Sequence, residues 1–387
     1  MRVLFAVAGG PSHLYPLVPL AWAFRTAGHE VRLAGTPKSA TTMAHTGLSI
    51  VTIGQGPQLS AEAREELVTT AYGQPPWPTD WPAHPERLTS GQLKLLEVLG
   101  RYSVAAADAM ADDLVAFARH WRPDLIVHDT LALCAELTGV PCVRYTHGAQ
   151  DVFCVERRPS GEPLPEYVEM FARFGQEPPQ GALFVDTMPA SMFLGAERPC
   201  IPMRWVPYNG PGLAPDGLTG ARPRVCVTWG MVAEGALGTG AADPFADTIT
   251  AIAHAGAEVL VLASPSLVSA LGTPAQGVRY VSGAPLNLVL PHCDAVVHHG
   301  GEGTAMAAAA LGVPHLVITR EPLDEQVGGR LAQTGAAIHL RHQEAADVRD
   351  AIDKLLSDPG YADAAQRLRE DIETMPAPAD VVPQLIA

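Results

Sequence analysis

One segment, Asp294-Ala295-Val296-Val297-His298-His299-Gly300-Gly301-Glu302-Gly303-Thr304-Ala305-Met306-Ala307-Ala308-Ala309-Ala310-Leu311-Gly312-Val313-Pro314, constrains this chain most, because it reads in order as strand, glycine turn, helix and stop. An apolar strand delivered into an alanine-rich helix is one step of a parallel α/β sheet. Gly300, Gly301 and Gly303 remove side chains where a backbone must approach a ligand. The helix that follows turns its unsatisfied N–H groups and positive dipole end toward that turn, so an anion belongs there. Thr304 adds a hydroxyl and His299 a ring donor, which makes a diphosphate the expected ligand. A P-loop would follow its last glycine with Lys, and a dinucleotide fingerprint would space its glycines GxGxxG; this segment does neither. The plainer reading is a tight turn whose His298 and His299 are satisfied by backbone carbonyls.

The same strand and helix rhythm runs through the chain. Residues 2–8 form an apolar run, 9–12 a Gly/Pro/Ser turn and 14–27 a helical pattern. Gly28 is placed to end that helix in a left-handed conformation, and Glu30–Ala34 reads as the next strand. Pro123–Asp129 is a strand ending in an acid, followed by a helix-like stretch to Leu137 and a strand at Cys142–Tyr145. Residues 55–92, with Pro75, Pro76, Trp77, Pro78, Trp81, Pro82 and Pro85, read as a long irregular insertion. Its tryptophans either line an apolar binding surface or pack onto the domain itself. Residues 205–223 are rich in Pro and Gly and read as a linker, after which strands recur at 224–230, 258–262, 278–281, 295–297 and 315–318. The expectation is an α/β chain of two Rossmann-like domains facing each other across a cleft, at 1–204 and 224–365, with the linker at 205–223.

Length and composition agree with two cores: 387 residues, 47% hydrophobic, 17% charged, 36 Gly and 35 Pro make a globular chain with many sharp turns. The net charge of −15, with its 26 Lys and Arg scattered, leaves no footprint for a nucleic-acid backbone. Six cysteines without a CxxC pair fit reduced thiols in the cytoplasm. Residues 1–8 break into Gly9-Gly10-Pro11 too soon for a signal-peptide core, and no apolar run is long enough for a membrane span.

Four stretches carry a resemblance to a known family: Gly9-Gly10-Pro11-Ser12-His13-Leu14-Tyr15-Pro16-Leu17, Val206-Pro207-Tyr208-Asn209-Gly210-Pro211-Gly212, Val227-Thr228-Trp229-Gly230, and Leu290 through Thr304. Along nearly its whole length the chain resembles the inverting GT-B glycosyltransferases of bacteria that transfer deoxysugars to antibiotic aglycones. The resemblance implies that the C-terminal domain binds a nucleotide sugar, the N-terminal domain a small natural-product acceptor, and that no cofactor or metal is needed beyond a TDP-sugar or UDP-sugar co-substrate. The last segment, 366–387, is similar to the family's tail that packs back on the N-terminal domain. His13 then stands where the family keeps its general base, and an imidazole of ordinary pKa about 6.5 suits removal of a hydroxyl proton. Asp129 matches the acid that orients it, as in the His and Asp part of a triad; helix capping is its plainer role. Donor contacts fall to Thr228, Gly230, Gly283, Ala284, His299, Gly300, Gly301, Gly303, Thr304, Asp324 and Gln326. Acceptor contacts fall to Trp77, Trp81 and His147.

Three departures bear on the donor. Met231 stands where the family often has Ser or Thr, the sugar-reading Asp-Gln pair appears as Leu323-Asp324-Glu325-Gln326, and no Trp lies near Val281–Pro285 to stack on a base. These favour a TDP-deoxysugar over UDP-glucose. The rivals are a non-catalytic accessory protein of the same fold, a nucleotide-sugar epimerase or hydrolase, and, more distantly, an NAD-dependent oxidoreductase. Attachment through carbon competes with attachment through oxygen, and the expected state is a monomer or homodimer in the cytoplasm.

Overall fold

The computed structural model describes residues 1–56, 61–71, 74–78, 80–146, 156–192, 199–218, 223–230, 242–319, 324–341 and 345–387. The chain divides into two compact units. The first comprises Met1–Met188, Phe193–Arg204 and Met375–Ala387, and the second Pro189–Met192 and Trp205–Thr374.

The first unit is built on β1 (Arg2–Val7), β2 (Glu30–Gly35), β3 (Ser49–Thr52), β4 (Leu125–Asp129), β5 (Cys142–Thr146), β6 (Leu183–Asp186) and β7 (Cys200–Pro202). They form a parallel sheet in the order β3-β2-β1-β4-β5-β6-β7. Residues 3–7 of β1 and all of β4 are buried, which is why both read as near-continuous apolar runs. The order reverses between β1 and β4, and such a switch point opens a crevice at the carboxyl ends of the strands. The helix Pro11–Thr26 leaves β1 with Pro at its start, where a missing N–H costs nothing, and Gly28 follows it at φ +90°. The helix Pro378–Leu385 packs against Pro11–Thr26 and β7, and the Arg204 N–H donates to the Pro376 carbonyl at 2.8 Å.

The second unit contains β8 (Arg224–Thr228), β9 (Glu258–Leu262), β10 (Val278–Val281), β11 (Ala295–His298), β12 (His315–Ile318) and β13 (Ala337–Leu340). Their parallel order, β10-β9-β8-β11-β12-β13, reverses between β8 and β11. One face packs Val225, Val227, Val259, Val261 and Val297 under flanking helices; the other packs Cys226, Leu260 and Val296 against Ala307 and Ala308.

Several expectations need correction. Residues 55–92 are not irregular throughout: a helix covers Ala61–Ala71, and a 32-residue helix, Ser90–Trp121, begins inside the segment. Thr89 and Gln92 close a reciprocal capping box at its start, and the concentration of prolines just upstream obscured that signal. The stretch to Leu137 is 3-10 rather than α-helical, over Leu133–Thr138. β3, β6, β7 and β13 were not read as strands. Among the described residues no helix is long and apolar enough to cross a membrane.

Candidate functional site

The chemistry-bearing residues gather at the two switch points. In the first unit the end of β4 places Asp129 beside the turn after β1, with its side chain 1% exposed. Oδ1 accepts from the Ala8 N–H at 3.2 Å and the Ala132 N–H at 2.8 Å; Oδ2 accepts from the Gly9 N–H at 3.0 Å and lies 3.3 Å from Nδ1 of His13. Burial works to raise this carboxyl's pKa, but the His13 contact and the Gly9 and Ala8 amides outweigh it and hold the group below the usual carboxylate range. Asp129 is therefore an anion that pins Nδ1 and leaves Nε2 of a partly exposed ring (21%) as the basic nitrogen. It also caps the turn after β4, so capping and orienting are two duties of one side chain. A Cβ at Gly9 would overlap the His13 ring, so position 9 must lack a side chain for the imidazole to sit there.

In the second unit Thr228 ends β8 and Gly230 follows it, and His299 through Thr304 follow the neighbouring strand β11. Gly230, at φ +69°, lies close enough to His299 that an added Cβ would meet Cε1 at 3.0 Å, and its N–H donates to Thr228 Oγ1 at 3.3 Å. Gly301 caps the helix Glu302–Ala310 without a side-chain bond, and a Cβ there would stand 2.6 Å from His299 Nε2. Gly300, at φ +107°, fits closely against Asp324 and Thr319, whereas a Cβ on Gly303 would meet nothing within 4 Å. Thus Thr228, Gly230, His299, Gly300, Gly301 and Asp324 converge, and the helix start at Gly303 and Thr304 adjoins them. Burial lowers the His299 pKa to about 4, so at neutral pH the ring is neutral.

Gly283 and Ala284 lie beyond the end of β10, on the same sheet edge but two strands from β8. Gln326 is 1% exposed, and neither atom of its amide has a hydrogen-bond partner among the described residues. Trp77 and Trp81 are 3% and 1% exposed, pack edge to face at 5.4 Å, and share a cluster with Leu88, Leu95 and Leu96. They are part of the domain's own packing, the plainer of the two readings of that segment. His147 and Met231, and Leu323 in the Asp-Gln segment, lie outside the described residues.

Sequence reasoning missed the polar layer behind the glycine turn. His298 is fully buried; its Nδ1 takes the Gly300 N–H at 3.1 Å, not a carbonyl, and its Nε2 faces His315 Nδ1 at 3.1 Å. His339 meets Thr319 Oγ1 at 2.8 Å, in space that a side chain at Gly328 would fill. Single histidines within β12 and β13 carry no spacing signal; only the paired His298-His299 was visible.

Two outcomes follow. Burial lowers His299 to about 4 and His315 to about 3, so on acidification the unfolded chain takes up protons that the fold refuses. Stability is complete above pH about 6.5 and falls below it, His315 alone costing about 1.4 kcal/mol per pH unit down to its folded value. Melting temperature measured from pH 7.5 to 5 is expected to drop, and less steeply in His315→Gln; equal slopes would remove His315 from the account. Gly9→Ala is expected to expel the His13 ring from Asp129 at an overpacking cost of about 1–3 kcal/mol, visible as loss of the hydrogen-bonded Nδ1 proton resonance.

Residues 22–230 match the family model for the N-terminal domain of erythromycin biosynthesis protein CIII-like proteins, and residues 246–387 match the model for their C-terminal domain. An aclacinomycin-T 2-deoxy-L-fucose transferase of Streptomyces galilaeus is 34% identical, the alignment covering 100% of this chain and 95% of the relative. Among solved structures, the glycosyltransferase VinC in complex with dTDP is 30% identical with a TM-score of 0.79, over 100% of this chain and 98% of that one. The spinosyn rhamnosyltransferase SpnG complexed with thymidine diphosphate is 27% identical with a TM-score of 0.81 over 100% of both chains. With two parallel-sheet units and matches along its full length, this chain belongs to the erythromycin biosynthesis protein CIII-like family and is a glycosyltransferase of the GT-B fold.

Proposed function

We propose that the protein transfers a deoxysugar, with inversion, from a TDP-linked donor to a hydroxyl of a small natural-product aglycone. The observation that carries this reading is the His13–Asp129 pair at 3.3 Å, in which the carboxylate is held by three backbone amides and engages Nδ1. The acceptor O–H gives its proton to His13 Nε2 as its oxygen attacks the anomeric carbon. The bond from that carbon to the diphosphate oxygen breaks, and its electron pair leaves with TDP. Asp129 stabilises the imidazolium so formed. Developing charge on the diphosphate is met by the start of the helix Glu302–Ala310, by Thr304 and by the neutral His299 donor, with no metal in the scheme. Asp324 and Gln326 read the sugar, Gly283 and Ala284 the base, and His147 the acceptor. The TDP named with VinC and SpnG and the deoxysugar named with the Streptomyces galilaeus transferase support the donor class.

Calorimetric titration of wild type with TDP and UDP, without added metal, is expected to favour TDP. His299→Ala is expected to lose about tenfold in TDP affinity, the worth of one good hydrogen bond to a charged group. Equal binding by wild type and variant would remove His299 from the donor site. His13→Ala is expected to keep TDP affinity while turnover with an accepted aglycone falls about 10²- to 10⁴-fold. Undiminished turnover would end the general-base assignment, and absence of TDP binding to wild type would favour the accessory protein. Anomeric coupling constants of the product report inversion directly.

A further inference from the structure

β11 ends in His298 and the turn begins with His299, of which the mechanism above uses only His299. His298 shares its sheet face with Val296, which packs against Ala307 and Ala308 of the helix Glu302–Ala310. His315 is the register partner of Val296 on β12, so both buried rings lie on the face this helix covers. Two imidazoles in an apolar layer cost free energy unless their ring nitrogens are engaged, and an apolar pair of similar volume would fill the space more cheaply. Their hydrogen bonds say what they are for.

The proton positions follow from the partners. The Gly300 N–H can only donate, so His298 Nδ1, 3.1 Å away, presents its lone pair and the ring proton sits on Nε2. Nε2–H then donates across 3.1 Å to Nδ1 of His315, whose own proton is left on Nε2, which has no partner among the described residues. The opposite tautomer of His298 would set an N–H against the Gly300 N–H. The Gly300 N–H thus selects the tautomer in which His298 Nδ1 accepts, His315 receives the Nε2–H of that tautomer, and the Gly300 amide is tethered to the end of β11. Gly300 sits at φ +107°, outside any repeating backbone geometry, so this bond fixes the peptide plane between His299 and Gly300 and with it the direction of the His299 side chain.

We infer that His298 is a positioning residue for the donor diphosphate: it acts through the Gly300 amide on the turn that carries His299, and His315 receives the Nε2–H of the tautomer in which it accepts. The inference rests on the diphosphate reading proposed above. It assigns to the pair a preorganising role, in which the turn is held in its anion-binding shape before the donor arrives.

The test compares His298→Leu, which keeps bulk but cannot accept, with His298→Asn, whose Oδ1 stands near the place of Nδ1. TDP and thymidine affinities are measured for each by competition, with wild type titrated first. The Leu variant is expected to lose about tenfold in TDP affinity with thymidine binding unchanged, and the Asn variant to recover to within about threefold of wild type. TDP affinity within twofold of wild type in the Leu variant, or a parallel loss of TDP and thymidine, would overturn the inference, the latter because a merely structural lesion does not single out the phosphates. Wild-type protein that binds no TDP fails the diphosphate reading instead. Independently of any variant, 15N shifts of the wild-type rings are expected to show His298 protonated on Nε2; protonation on Nδ1 would falsify the tether.

Discussion

The buried carboxylate of Asp129 is the interaction on which the first unit's site depends. Sequestering an anion costs several kcal/mol unless its lone pairs are met, and here three backbone amides and an imidazole meet them. Those amides come from the turn after β1 and the turn after β4, the two strands between which the sheet order reverses. One side chain therefore ties together the two chain segments that border the crevice. The location of His13 follows from that tie and from the bare backbone of Gly9.

The second unit answers the same topological situation with neutral rings close to its turn. Around its switch point stand His298, His299 and His315, all held neutral by burial, together with glycines that let backbone and rings come close. Under the donor reading proposed above, a diphosphate would bring its own charge to N–H donors and a helix dipole. The division is chemical: the first unit holds a buried anion beside an imidazole, and the second gathers neutral rings and bare glycine backbone at a helix start.

Much of this was legible because buried parallel strands announce themselves as apolar runs and because glycines, histidines and an acid stood at their ends. β1, β4, β8 and β11 were readable on those grounds, as were His13, Asp129 and the glycine turn. The helix Ala61–Ala71 was not, since prolines a few residues downstream set the character of the whole window. β13, whose four residues include His339, has too little apolar run to be told from a loop. Trp77 and Trp81 show the limit of composition: aromatic residues in a proline-rich stretch suit a binding surface and a local core equally, and only burial against Leu88 and Leu95 separates them. The reason for Gly9 is a steric relation to a side chain four residues on, and the roles of His298 and His315 are relations across strands, neither of which is written in local sequence.

The placement of the helix Pro378–Leu385 against Pro11–Thr26 carries a consequence for biosynthesis. A ribosome releases the helix Pro11–Thr26 early, but the segment that packs on it emerges only after all of the second unit has been made. Until then the nascent first unit leaves uncovered the surface that Val381 and Val382 later occupy, which are 0% and 3% exposed in the finished fold. Closure of the first unit is thus coupled to completion of the second by the order of synthesis.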